Sequence, residues 1–294
     1  MNLYIIVIYI MCNNISYKKV HSESDSGYYM DNIKIRKPNI DLGVDATYVI
    51  HLMNNGRLES IKNAFTSYRI KGKNHILYNQ GYASGKKDAI ITGPALDLIN
   101  AYLYIFQHAL YNNYANILIL EDDFFFDKII LQKNRQECIN NFIKNTNYEL
   151  YFLGCLPYVS KEIDKHTSRL YASTGMHAVI YSSGFIELTL KTNKQNNLLY
   201  QISDWDAYTC IFKNYMYNVP LCYQLFPETP NQKQWGKSLE HNKYIGKWVY
   251  FFVKRQIKYI RLLQLHKTHI IGYPIFYHNA RKNYINMINW HKIK

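Results

Sequence analysis

Apolar and polar positions fall into a regular succession of short strands and amphipathic helices along this chain. Ala46-Thr47-Tyr48-Val49-Ile50-His51-Leu52 is rich in β-forming residues and predicts a strand. Asn54-Asn55-Gly56 is a turn, and the spacing of Leu58, Ile61, Phe65 and Tyr68 predicts a helix from Arg57 to Arg69. Ile76-Leu77-Tyr78 is a second short strand, followed by a glycine- and lysine-bearing loop from Gly81 to Asp88. Pro94 opens a helix to about Tyr111, with Leu98, Tyr102, Ile105, Phe106 and Ala109 on one face. Strands at 117–121 and 150–153 flank a helix over roughly 129–145. This β-α-β-α-β-α-β order predicts an α/β fold whose mostly parallel sheet is flanked by helices.

The second half is more mixed. His177 to Tyr181 reads as a strand, Gly184 to Leu190 as a helix, and Asp204 as the start of another helix. Val219 to Tyr223 is extended, with Pro220 pointing to an edge position. Lys247 to His266 reads as a long basic, aromatic helix. Residues 12–45 are polar and mixed, so 1–45 is expected to be an extension or linker, 46–235 the main domain and 236–294 a basic helical segment packed on it. Leu3 to Met11 is an apolar run too short to span a membrane, and it lacks the basic start of a signal peptide. It reads as a poor leader or an extra strand, which leaves a cytoplasmic or a secretory location open.

Charge changes this picture at one place. The 294 residues carry a formal net charge of +14, and thirteen Lys/Arg against the single acid Glu240 place +12 of it from Lys233 onward. Such a tail fits an apolar side packed on the domain with lysines in water, or peripheral contact with an anionic membrane. No nucleic-acid fold or stacking motif accompanies it, so nucleic acid as partner rests on the tail alone. The five cysteines are odd in number and lack paired spacing, which reads as reduced thiols and not a zinc site. Abundant Tyr, Ile, Asn and Lys fit an AT-rich coding genome, that of a large DNA virus or of an AT-rich microbe, between which composition does not choose.

The densest chemistry lies where a greasy strand ends in acids: Ile117-Leu118-Ile119-Leu120-Glu121-Asp122-Asp123. Alternation along an extended chain puts Glu121 and Asp123 on one face and Asp122 on the other. Two hard oxygen donors together suit Mg²⁺ or Mn²⁺, and through it a diphosphate. Acids after a strand also serve as helix caps or solvated loop starts. Asp204-Trp205-Asp206 is a second acid pair, readable as helix cap and first-turn acid, as a general base, or as a rival metal site. Trp205 is a core residue or a stacking platform for a sugar.

Taken in order, these segments resemble glycosyltransferase family 25, the group of lipopolysaccharide-type and collagen β-galactosyltransferases. Tyr48-Val49-Ile50-His51-Leu52 is similar to the family's opening strand, and Arg57-Leu58-Glu59-Ser60-Ile61 to the arginine-bearing helix after it. Leu120-Glu121-Asp122-Asp123 matches the family's Leu-Glu-Asp-Asp strand end, and Gly175-Met176-His177-Ala178-Val179 its Gly-Thr-His-Ala-Tyr segment. Pro220-Leu221-Cys222-Tyr223-Gln224 is similar to a Pro-Leu-x-x-Gln near its end. The likeness spans about 46–235. It departs where the family usually carries Gly-Cys-x-x-Ser-His, since this chain has Asp97-Leu98-Ile99-Asn100-Ala101-Tyr102 there.

The resemblance implies a GT-A-like nucleotide-diphospho-sugar transferase fold and transfer of galactose or glucose from a UDP-sugar to a protein hydroxyl or glycan. It implies Mn²⁺ or Mg²⁺ held by Glu121 and Asp123, with Asp122 orienting the ribose or a metal-bound water. Arg57 is expected at the donor phosphates and His177 at the donor or metal. Asp204 or Asp206 is expected to be the base of an inverting reaction. The altered 97–102 segment supports a different expectation, a relative without activity that binds carbohydrate or a partner.

Overall fold

The computed structural model describes residues 26–197, 199 and 205–224. Its centre is a seven-stranded mixed sheet in the order β1-β3-β2-β4-β7-β6-β8. The strands are β1 (Tyr28–Ile33), β2 (Ala46–Leu52), β3 (Lys73–Asn79), β4 (Asn116–Glu121), β6 (Leu150–Glu162), β7 (Thr167–Ser182) and β8 (Asn214–Tyr217). A small second sheet pairs β5 (Phe124–Phe126) with β9 (Cys222–Gln224).

Side-chain alternation builds two cores on the two faces. Tyr48, Ile50, Ile117 and Ile119 face α2 (Pro94–Tyr111), α4 (Ser183–Asn196) and α5 (Trp205–Thr209). Val49, Leu118 and Leu120 face α1 (Leu58–Ser67) and α3 (Lys133–Asn145). The result is a helix–sheet–helix sandwich, the solution available to strands apolar on both sides. α1 carries the chain from β2 to β3, and α2 carries it back across β2 to β4. β2 therefore lies between β3 and β4, parallel to both. Strand order reverses between β2 and β4, and their carboxyl ends are where open α/β sheets bind ligands.

Two expectations need correction. The sheet is not mostly parallel: β7 enters antiparallel between β4 and β6, β1 is antiparallel to β3, and β6–β8 is the remaining parallel pair. β6 and β7 are joined by only residues 163–166, too short a link for a parallel crossover. Residues 26–45 are no linker either. β1 hydrogen-bonds along the edge of β3, and Ile40 and Leu42 are buried in the core. Residues 1–25 and the whole basic segment 236–294 lie outside the described residues, as do its expected helix and the apolar run 3–11. Among the described residues no helix is long and apolar enough to cross a membrane, and Cys138, Cys155, Cys210 and Cys222 are not in disulfides.

The loop from Gly81 to Asp88 is held to the sheet by a buried charge. Lys87 turns inward, with Nζ 3.3 Å from Asp97 Oδ1 and 2.9 Å from the centre of the Tyr28 ring. Asn79 at the end of β3 donates to the other Asp97 oxygen at 2.9 Å. Burial pushes the Lys87 amine down to about 8, while Asp97 opposes that shift. Asp97, in the segment that departs from the family, is thus committed to packing the loop and β1 on the first turn of α2.

Candidate active site

The chain leaves the sheet directly after Glu121, so alternation no longer governs Asp122 and Asp123. Glu121 keeps the parity of Ile117 and Ile119 and meets the α2 face, where the Tyr102 hydroxyl donates to Oε1 at 3.3 Å. Asp122 turns back toward β2. It accepts from the Leu52 amide at 2.9 Å, from the Asn55 side-chain amide, and from Arg57 Nη1 at 2.7 Å; His51 Nδ1 lies 3.7 Å away. Burial disfavours its charge, but His51, Arg57 and the Leu52 amide outweigh that and hold the Asp122 carboxyl below the usual range. Asp123 is 3% exposed, and Arg57 Nη1 lies 3.8 Å from its Oδ2.

Arg57 and Asp122, both expected at the donor, are therefore paired with each other. The pair ties the end of β2 to the end of β4; Arg57 also reaches Asp123, while Glu121 faces the α2 side. Asp206, in the first turn of α5, joins them: its Oδ2 accepts from the Gly175 amide at 3.4 Å, and its charge acts on Glu121. The two acid motifs are thus one cluster and not rivals. Burial first, then the charges of Asp123, Asp206 and Asp122, push the Glu121 carboxyl well above the usual carboxylate range. Asp204 lies outside the described residues. Trp205 is buried and stacks on Tyr102 with ring centres 5.1 Å apart, so it is core and not a platform for sugar.

Among the described residues no three of His, Cys, Asp and Glu are disposed to grip one ion together. Magnesium-type ions in diphosphate sites take one or two protein carboxylates and complete their shell with phosphate and water, so a pair is sufficient. The upward push on the Glu121 carboxyl fits such an ion, because a nearby cation favours the charged form of a buried carboxylate.

His177 sits where β7 kinks. Gly175 precedes it with φ +88, and the faces slip: Met176 packs on the α2 side and Ala178, two residues on, packs on the α3 side. His177 Nε2 donates to the Cys222 carbonyl at 3.2 Å, which fixes the tautomer and leaves Nδ1 as a bare lone pair. Burial pushes the ring down to about 4, so it is neutral near pH 7. Gly154 of β6 completes the arrangement, for a Cβ there would overlap the Cys222 carbonyl oxygen and sit 2.9 Å from His177 Nε2. β9, further held by the Leu221 amide on the Leu153 carbonyl at 2.7 Å, then supports β5 directly after Asp123. Sequence reasoning missed Gly154, Tyr102 and the β5–β9 pairing as parts of this site.

His75, stacked on Tyr48 at 4.7 Å, is also pushed down to about 4 by burial, and burial lowers His108 as well. Unfolded histidines take up a proton near pH 6.5, whereas His75 and His177 wait until about 4 in the fold. The unfolded chain therefore binds more protons in that window. Stability falls as pH drops from 6.5 to 4, by about 1.4 kcal/mol per pH unit per histidine at the steepest. Thermal melts between pH 7 and 4.5 should show this slope, shared with His108, and His75→Phe should flatten it in part; an unchanged slope in that variant would exclude His75.

No family model matches the chain, and no curated protein does so significantly. Among solved structures, the STIV protein A197 aligns over 62% of this chain and 86% of its own, at 15% identity and TM-score 0.31. A glycosyltransferase involved in glycosylation of the major capsid of PBCV-1 aligns over 56% of this chain and 72% of its own, at 11% identity and the same TM-score of 0.31. At these values neither likeness bears on the reading of the site.

Proposed function

We propose that the protein is a metal-dependent inverting glycosyltransferase, moving galactose or glucose from a UDP-sugar to a protein hydroxyl or a glycan. The observation that carries this reading is the gathering of Glu121, Asp123 and Asp206 at the carboxyl end of β4, where burial first and then the charges of the other acids push the Glu121 carboxyl up. That much negative charge beside a strand-order reversal is costly unless a cation and its ligand complete it. The order of family-25-like segments along the chain supports the same reading.

In this proposal Glu121 and Asp123 would hold Mn²⁺ or Mg²⁺, which when bound supplies Lewis-acid neutralisation of the departing diphosphate. Asp123 is the principal ligand because Asp122 is committed to Arg57. Asp206, or Asp204, takes the proton of the acceptor hydroxyl as that oxygen attacks the anomeric carbon. Arg57 and Asp122 act by fixing the floor of the site, and Tyr102 by orienting Glu121.

One observation favours a second reading. Arg57 already offers a cation to Asp122 and Asp123, which suits a relative that binds carbohydrate without turnover. A panel of UDP-sugars separates the two. Mn²⁺-stimulated release of UDP is the expected result; metal-independent binding of sugar with no UDP release would replace the first reading by the second.

A further inference from the structure

Between the buried residues Gly81 and Ile91 the chain runs over the surface, and residues 82–86, 88 and 89 are exposed. Lys87 is the exception, with a side chain only 2% exposed. A buried ammonium carries three donors and a full charge, and both need partners. Lys87 has one carboxylate, Asp97, and one aromatic face, Tyr28, while Nζ and the facing Asp97 Oδ1 make no hydrogen bond. The titratable groups around the amine are Asp97 from α2, Tyr28 from β1 and, behind Tyr28, Tyr104 of α2 with ring centres 4.9 Å apart. Burial pushes both tyrosine hydroxyls up, so they stay neutral and Asp97 supplies the opposing charge.

The seat is shaped for this side chain, and the strap that carries it is jointed. Gly27, just before β1, lies at φ +71, and a Cβ there would stand 3.3 Å from Lys87 Cε. The Tyr28 ring is fixed over the amine through its hydroxyl, which donates to Asn100 Oδ1 at 2.7 Å. The strap turns on Gly81 at φ +83 and Gly85 at φ +73, and an added Cβ at Gly85 would meet nothing within 4 Å. Its root touches the floor of the candidate site: a Cβ at Gly81 would stand 3.2 Å from Leu52 Cδ1, and the Leu52 amide holds Asp122.

We propose that Lys87 is a proton-controlled peg: it locks the 82–90 strap against β1 and α2, and protonation of its amine favours withdrawal of the peg. In water a lysine amine holds its proton to about pH 10.5. In the seat burial brings that down to about 8, and Asp97 opposes the shift only in part. The released strap therefore binds more protons than the tucked one between about pH 8 and 10.5. The tucked form gains as pH rises through that window and loses the gain as pH falls back to about 8. This device stands whether or not the acid cluster binds a nucleotide sugar.

Hydrogen–deuterium exchange of the full chain reads the strap directly, with labelling times scaled for the intrinsic amide rate at each pH. Amides of residues 82–90 should gain roughly tenfold in protection between about pH 7 and 9.5. Amides 117–120 of β4 serve as the internal reference and should stay unchanged. Lys87→Met keeps the length of the peg without its charge, so its strap should be protected already at neutral pH and show no pH dependence. Asp97→Asn removes the opposing charge, so its strap should be less protected than wild type at neutral pH and recover as the amine loses its proton. If Lys87→Met is destabilised as a whole, the β4 amides report it, and the wild-type profile with Asp97→Asn decides. A flat wild-type profile, the same rise in Lys87→Met, or an Asp97→Asn strap that tracks the wild type overturns the inference.

Discussion

Replacing Asp123 with alanine should reduce Mn²⁺-dependent UDP release by at least a hundredfold while leaving the melting temperature within a few degrees of wild type. Removing one group that stabilises developing charge in a dry site costs about 3–4 kcal/mol of barrier, or roughly 10²–10³ in rate. No neighbour can take over. Asp122 is adjacent in sequence, but its oxygens are occupied by the Leu52 amide, Asn55 and Arg57. Glu121 alone leaves a single carboxylate where the proposed site uses two. Stability should survive because removing one of several crowded acids relieves repulsion. Retention of Mn²⁺-dependent turnover in Asp123→Ala would remove the basis of the proposed reaction.

The second large effect is expected at Gly154, which touches no substrate in this proposal. A methyl group there would overlap the Cys222 carbonyl and crowd His177 Nε2. The obstacle is backbone held by hydrogen bonds to Leu153 and Asp127 around Leu221, so it cannot simply swing aside. Gly154→Ala should therefore cost about 2–3 kcal/mol as an overpacked contact, which for a domain of this size is roughly 4–12 °C in Tm. Any displacement of β9 passes to β5 and so to Asp123, and nucleotide-sugar turnover should fall even in the fraction that remains folded. Differential scanning calorimetry beside turnover at 20 °C checks both parts; a variant that melts and turns over like wild type would show that β9 does not brace the acids.

Much of this was legible in the chain. β2, β4 and the helices α1 and α2 carry strong periodicity, because each buries a continuous apolar face. β1 was hidden because Tyr28 to Ile33 mixes polar with apolar residues, as an edge strand covered on one side does. The antiparallel entry of β7 was hidden for another reason: its outer half, Thr167 to Thr174, is rich in small and polar residues, and pairing with β6 is decided by a four-residue connection and not by propensity. The acids are legible by type. Alternation stops at Glu121, where the strand ends, so the turning of Asp122 toward β2 is set by the Leu52 amide, Asn55 and Arg57 and not by the pleat. Asp206 was found, but its meeting with Glu121 depends on α5 packing against β7, a long-range contact that spacing does not encode. Gly154 gave no signal beyond being a glycine in a strand, the pattern of a close backbone approach.

β2 and β4 are fastened at both extremities. At the start, the Asp45 carboxylate accepts from the Ala115 and Asn116 amides at 2.7 and 3.0 Å, and at the finish Asp122 returns to Leu52 and Arg57. A strand pinned only once can slide by a residue, and such a slide would invert every side chain and send Glu121 to the opposite helix layer. Two distant pins forbid it. Alignment errors during assembly of the sheet are thereby converted into the loss of carboxylate contacts at one end or the other, so the chain proofreads the side on which its chemistry is displayed.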